Sequence, residues 1–159
     1  MITAENISQE IYAELGEPDN LSVAQIKSWV ASNIGQINSL LYVDFVYDED
    51  NDTFIKTEDS YLDNVFEDAE KEIYKQLYFR KFYKNLMLKT LNSAETIKEG
   101  WVQITEEGST IRRSSRTEVS RYYNELLKNL SEYINDLVRA YRISKDKVFD
   151  VRQFDIRSV

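Results

Sequence analysis

The sequence predicts a mainly α chain: a four-helix, bundle-like domain with a short hairpin or loop insertion, followed by an extended C-terminal arm. Three observations carry this. One proline and four glycines in 159 residues leave long stretches with nothing to interrupt a helix. Apolar residues recur at steps of three and four in successive segments. A hydrophobic fraction of 42%, with 13% aromatic residues, suffices for a packed core in a length that suits one domain.

The first helix is expected over residues 3–15, with Thr3 as N-cap and Ile7, Ile11 and Leu15 on one face; Gly16 ends it and Pro18 prevents its resumption. Ser22 opens the second, with Gln25 completing a capping box. Its stripe runs Val23, Ile26, Val30, Ile34, Ile37 and Leu41, with Trp29 beside it. Residues 42–57 lose the helical period. YVDFVY and TFIKT flank DEDND, which reads as a short hairpin or an extended loop.

The longest helix is expected from about 59 to 92, carrying Leu62, Val65, Phe66, Ala69, Ile73 and Leu77 on one face. Toward its end Phe79, Phe82, Tyr83, Leu86, Met87 and Leu88 cover more than one face, which suits a central helix or one packed on another chain. Residues 93–114 form a connector in which WVQIT and TIRR can pair across EEGS. Ser115 and Glu118 make a second capping box for a helix over 116–143. Its stripe is Val119, Tyr123, Leu126, Leu130, Tyr133, Leu137 and Tyr141. The domain spans residues 1–146. The arm, 147–159, has no helical stripe; Val148, Phe149, Val151, Phe154 and Ile156 are its docking candidates.

The composition narrows the chemistry. There is no cysteine and no histidine. Disulfides, thiolate sites, imidazole acid–base chemistry and His-ligated metal are therefore excluded. A net charge of −8 disfavours general phosphate binding. No apolar run approaches a bilayer span, and MITAENISQE has no secretory character, so a reducing cytoplasm is the expected compartment.

DEDNDTFIKTED, residues 48–59, has the carboxylate spacing of a calcium loop at Asp48, Asp50, Asp52 and Asp59. The sixth position, which needs glycine for the sharp turn, is Thr53. The ninth is Lys56, and the twelfth is Asp rather than the longer Glu. The stretch reads as a solvated turn, with Asp48, Glu49, Asp50 and Asp52 available to a neighbouring subunit or a channel. Arg112, Arg113 and Arg116 form the one cationic cluster of note, suited to pairing with acids of a neighbour. Glu67, Asp68, Glu70 and Glu72 fall on the polar side of the third helix. No nucleotide-binding or nucleophile-elbow motif is present.

Residues 100–142, GWVQITEEGSTIRRSSRTEVSRYYNELLKNLSEYINDLVRAYR, resemble a pattern in head–tail connector (neck adaptor, head completion) proteins of tailed bacteriophages. There a tryptophan precedes an EG-S-x-I-x-R turn and a capped amphipathic helix ending near VxxYR. The order of elements in the first half is similar too.

The resemblance implies a non-enzymatic virion protein of the neck, assembled in the host bacterial cytoplasm without cofactor, metal or membrane. It implies a ring of about twelve copies docked on the portal protein, with a C-terminal arm reaching the portal or a neighbouring subunit. Such a ring extends the DNA channel, passes DNA without sequence-specific binding, and seats the next neck or tail-completion protein. Two other readings stand beside it: a small helical oligomeric regulator without catalysis, and a hydrolase working with carboxylates alone. The last is disfavoured because no pair of acids stands apart from the polar faces.

Overall fold

A computed structural model describes residues 1–56, 66–96, 103–106, 109–112 and 116–146; residues 91–96, 103–106, 109–112, 116–117 and 146 are described by backbone alone. The chain is mainly helical, with two short hairpins. It divides into two units, Met1–Lys75 with the chain from Ile134 onward, and Gln76–Tyr133.

The first unit begins with α1, Ala4–Glu14. Thr3 caps it, its Oγ1 accepting the Asn6 N–H at 3.0 Å, and Ile7 and Ile11 are fully buried. Gly16, at φ 76°, supplies the left-handed turn after the helix. α2, Val23–Ser32, has the expected reciprocal cap: Gln25 N–H to Ser22 Oγ at 3.3 Å, and Ser22 N–H to Gln25 Oε1 at 3.0 Å.

The apolar period then continues, but the helix does not. Asn33 leaves helical geometry and its side-chain amide donates to the Trp29 carbonyl at 2.9 Å, so α3, Ile34–Leu41, starts as a separate helix. The single helix expected over 22–41 is therefore two. Ile26, Val30, Ile37 and Leu41 remain buried on both sides of the break. Tyr42 ends α3 in the left-handed region at φ 56°, where the Arg142 guanidinium stacks on its ring at 4.9 Å and donates to the Leu40 carbonyl at 2.9 Å.

β1, Phe45–Asp48, and β2, Thr53–Lys56, form the expected hairpin with Tyr47 opposite Phe54 and Val46 opposite Ile55. Alternation turns Phe45 and Phe54 into the core and leaves Val46 and Ile55 exposed. Asn38 seals the free side of β1: its amide donates to the Phe45 carbonyl at 2.8 Å while its oxygen accepts the Phe45 N–H at 3.0 Å. On the β2 side Thr3 bridges Thr53.

α4, Asp68–Thr96, does not run unbroken from 59: Phe66 and Glu67 are not helical, and residues 57–65 lie outside the described residues. Glu70 sets the start, its carboxylate accepting the Glu67 N–H at 3.0 Å as Lys71 N–H bonds the Glu67 carbonyl. Phe66 then faces inward and closes an aromatic cluster. Its ring lies 4.8 Å from Phe54 and 5.1 Å from Phe45, and Tyr74 stands 5.5 Å from Trp29. The Tyr74 hydroxyl donates to the Val30 carbonyl in the last turn of α2.

α5, Arg116–Asp146, enters the first unit at Ile134. There its core side is Ile134, Val138 and Tyr141, whereas Tyr133 is exposed and Leu137 half-buried. The stripe expected through Tyr133 and Leu137 is thus displaced by one position. Burial, together with the hydrogen bond that its hydroxyl donates to the Glu70 carboxylate, raises the Tyr141 phenol well above its ordinary pKa.

The second unit holds the rest of α4 and α5 and the hairpin β3, Gln103–Glu106, with β4, Ser109–Arg112. Ile104 stands opposite Ile111, as the pairing of WVQIT with TIRR requires. On α4, Leu77, Tyr78 and Phe79 are buried. Beyond them burial stops. From Arg80 to Thr90 and from Glu118 to Tyr133 no side chain is buried, although both stretches carry apolar seams: Phe82, Tyr83, Leu86 and Met87 on α4, and Val119, Tyr123, Leu126 and Leu130 on α5. No described helix is long and apolar enough to cross a membrane.

Candidate functional site

The acidic stretch 48–52 is the tip of the first hairpin, and its own hydrogen bonds explain its composition. Asp48 closes the turn: one carboxylate oxygen accepts the Asp50 N–H at 3.0 Å and the other the Asn51 side-chain amide at 2.7 Å. The Asn51 amide holds the Asp48 carboxyl below its usual range. Glu49 and Asp50 point to solvent.

Asp52 is different. It sits at φ 55°, half-buried, and its carboxylate accepts the Tyr47 hydroxyl at 2.7 Å, the Glu5 N–H at 3.1 Å and the Lys27 ammonium at 3.1 Å, while its own carbonyl accepts the Ala4 N–H at 3.0 Å. Partial burial acts to raise its pKa, but the Tyr47 hydroxyl, the Glu5 N–H and Lys27 outweigh it and hold the carboxyl below its ordinary value. The Asp52 bond in turn raises the Lys27 ammonium.

These donors make Asp52 a latch joining the N-terminus of α1, the middle of α2 and the hairpin. A carboxylate at the positive end of α1 is favourable in itself. Of the four acids assigned to a neighbour or a channel, Glu49 and Asp50 are the two whose carboxylates face outward; Asp48 and Asp52 act inside the unit.

The described residues hold no group of three or more acidic, His or Cys side chains placed to take a metal ion. With the Asp48 and Asp52 carboxylates engaged within the unit, calcium at micromolar concentration is expected to leave the melting temperature unmoved, whereas Asp52→Ala lowers stability by about 2 kcal/mol through three lost partners. Asp52 contributes at any pH above its unfolded value near about 3.9, and that contribution is lost as pH falls through its lower folded value. Paired melting curves of the wild type and variant, each with and without calcium, check both statements; a saturable calcium shift would contradict the first.

The acids at the start of α4 do not all lie on a polar face. Glu70 is buried at 2% exposure. Asp68 and Glu72 instead flank two lysines that tie α4 to α1. Lys71 reaches Glu10 at 3.1 Å and Asp68 at 3.2 Å; Lys75, 7% exposed, meets Glu14, Glu72 at 3.3 Å and Glu10 at 3.4 Å. Desolvation acts to lower the Lys75 ammonium, but Glu14 and Glu72 dominate and raise it. Sequence spacing placed the lysine on α4 but gave no sign of its acids on α1, some sixty positions earlier. Glu67 pairs with Lys145 at 2.9 Å, which fixes the end of α5.

Arg112 ends β4 and Arg116 begins α5, both described by backbone alone; Arg113 lies outside the described residues, as do the arm candidates Val148, Phe149, Val151, Phe154 and Ile156. The described residues thus present ion pairs and aromatic packing that hold the first unit together, and, in the second, seams left half-covered. No family model, curated protein or solved structure matches the chain.

Proposed function

We propose that the chain is a structural, non-catalytic subunit of the neck of a tailed bacteriophage, forming a ring on the portal that extends the DNA channel and carries the next neck or tail-completion protein. The observation that most supports this is the second unit's pair of half-covered seams. A helix pair with apolar side chains at Phe82, Leu86, Val119, Leu126 and Leu130, and with no buried residue along those stretches, is built to be completed by other copies of itself. Closed heterologous contacts between identical subunits make rings.

The charge balance agrees with passage of DNA rather than grip: −8 overall, with Glu49 and Asp50 outward at the hairpin tip. The resemblance of residues 100–142 to neck adaptors supports the portal as partner and the virion neck, after assembly in the host cytoplasm, as the place of work. Residues 147–159, with Val148, Phe149, Val151, Phe154 and Ile156, are the arm in this scheme, and Arg112, Arg113 and Arg116 the basic side of a contact between copies.

The same seams would suit a helical regulator of two to four copies, and particle mass separates the two. Mixed with portal rings, the protein is expected to form a second ring of about twelve copies visible by electron microscopy, and its Leu126→Glu variant to remain unassembled. A small oligomer that ignores the portal would favour the regulator.

A further inference from the structure

Beside the first hairpin lies a cavity of about 370 Å³, within the range of ligand-sized pockets. Ile2, Phe54, Ile55 and Phe66 give it an apolar floor and wall, and Asp48 and Asn51 a polar rim. Glu49 and Asp50 stand next to that rim on the hairpin tip. Around it Met1, Val46 and Ile55 are exposed, at 92%, 50% and 44%. An apolar pocket with an exposed apolar surround calls for an occupant with apolar side chains.

This chain carries one. The segment after Asp146 contains two copies of one tetrapeptide, FDVR at 149–152 and FDIR at 154–157. Each offers two apolar side chains at alternate positions and closes on an arginine. The place where the chain leaves α5 is also fixed: Lys145 is held by Glu67 at 2.9 Å, and Glu67 adjoins Phe66 of the pocket. From Lys145 to Phe149 an extended chain covers up to about 14 Å, enough to reach a wall that begins one residue from the Lys145 anchor.

We propose that Phe149 and Val151 of the C-terminal segment seat in this pocket of their own chain. The contact is made by side chains. Thr3 already bridges β2 at Thr53, so the segment does not extend the sheet there.

The spacing of the two tetrapeptides gives the seat a consequence. They are offset by five residues, an odd number. In an extended chain side chains alternate, so with Phe149 and Val151 turned into the pocket, Phe154 and Ile156 face the opposite way. The first tetrapeptide anchors the arm and the second presents an equivalent apolar pair outward, to a different protein surface. This does not depend on the chain being a neck subunit.

The absence of native cysteine makes the test direct. In the full-length double variant Ile55→Cys/Phe149→Cys, mild oxidation is expected to give an intrachain disulfide at a rate independent of protein concentration. That rate should exceed that of the same variant unfolded in urea by about tenfold or more, reflecting the raised effective concentration of a docked segment. Adding Val151→Asp should slow it severalfold. Crosslinking between chains, rising with concentration, would assign the pocket to another copy and overturn the proposal. So would a native rate no higher than the rate in urea.

Discussion

Tyr74→Ala is expected to lower stability by about 4 kcal/mol, the upper part of the range for removing a fully buried aromatic side chain. Tyr74 has no exposed surface and contacts rings from three elements: Trp29 of α2 at 5.5 Å, Phe54 of β2 at 6.0 Å and Phe66 ahead of α4 at 6.3 Å. Its hydroxyl also satisfies the Val30 carbonyl, three residues before Asn33 ends α2. Tyr74→Phe keeps the ring and orphans only that carbonyl, so its cost is expected at about 1–2 kcal/mol. Urea unfolding followed by tryptophan fluorescence resolves the two steps. If the alanine variant lost no more than the phenylalanine variant, the ring cluster would not be the centre of this unit.

Lys75→Ala is the second large effect, at about 3 kcal/mol, because it leaves the carboxylates of Glu10, Glu14 and Glu72 facing one another without the ammonium between them. Lys75→Met removes the same ammonium but keeps the stem between α1 and α4, so it is expected to cost about 2 kcal/mol, and the difference of about 1 kcal/mol between the variants reports the packing of the stem. The pH dependence has a definite sign. Lys75 is raised in the folded chain, so its contribution is complete below the unfolded lysine value of about 10.4 and is lost as pH rises toward the folded value. Tyr74 and Tyr141, both raised by burial, act in the same direction, since their unfolded phenols ionise first. Stability in the wild type should therefore fall on the alkaline side from about pH 10, and the fall should be shallower in Lys75→Met.

What was legible in the sequence was whatever is set by neighbours a few positions apart. The Thr3 cap, the Ser22–Gln25 box, both hairpins and the turn character of 48–52 depend on local chemistry, and each is found as expected. What was hidden depends on partners far along the chain or on a choice between equivalent local patterns. Asn33 breaks a helix whose apolar period runs through the break undisturbed, so periodicity could not locate it. On α5, Leu130–Tyr133–Leu137–Tyr141 and Leu130–Ile134–Val138–Tyr141 both step by three and four. Only packing selects the second at Ile134 and Val138. Asp52 reads as part of a solvated turn, and nothing singles out Lys75, because partners that draw them in lie on α1 and α2. The amide of Asn38, which does the work of a missing strand, carries no sequence signature at all.

That amide matters for how such a chain survives its own crowding. A two-stranded hairpin normally offers an open row of backbone groups on either side, and many copies held at high local concentration would be able to zip together through them into fibres instead of closing a defined particle. Here Asn38 occupies one margin and Thr3 the other. Pairing through the backbone of this hairpin is thereby hindered on both sides, which leaves side chains to make whatever contacts it has with other protein.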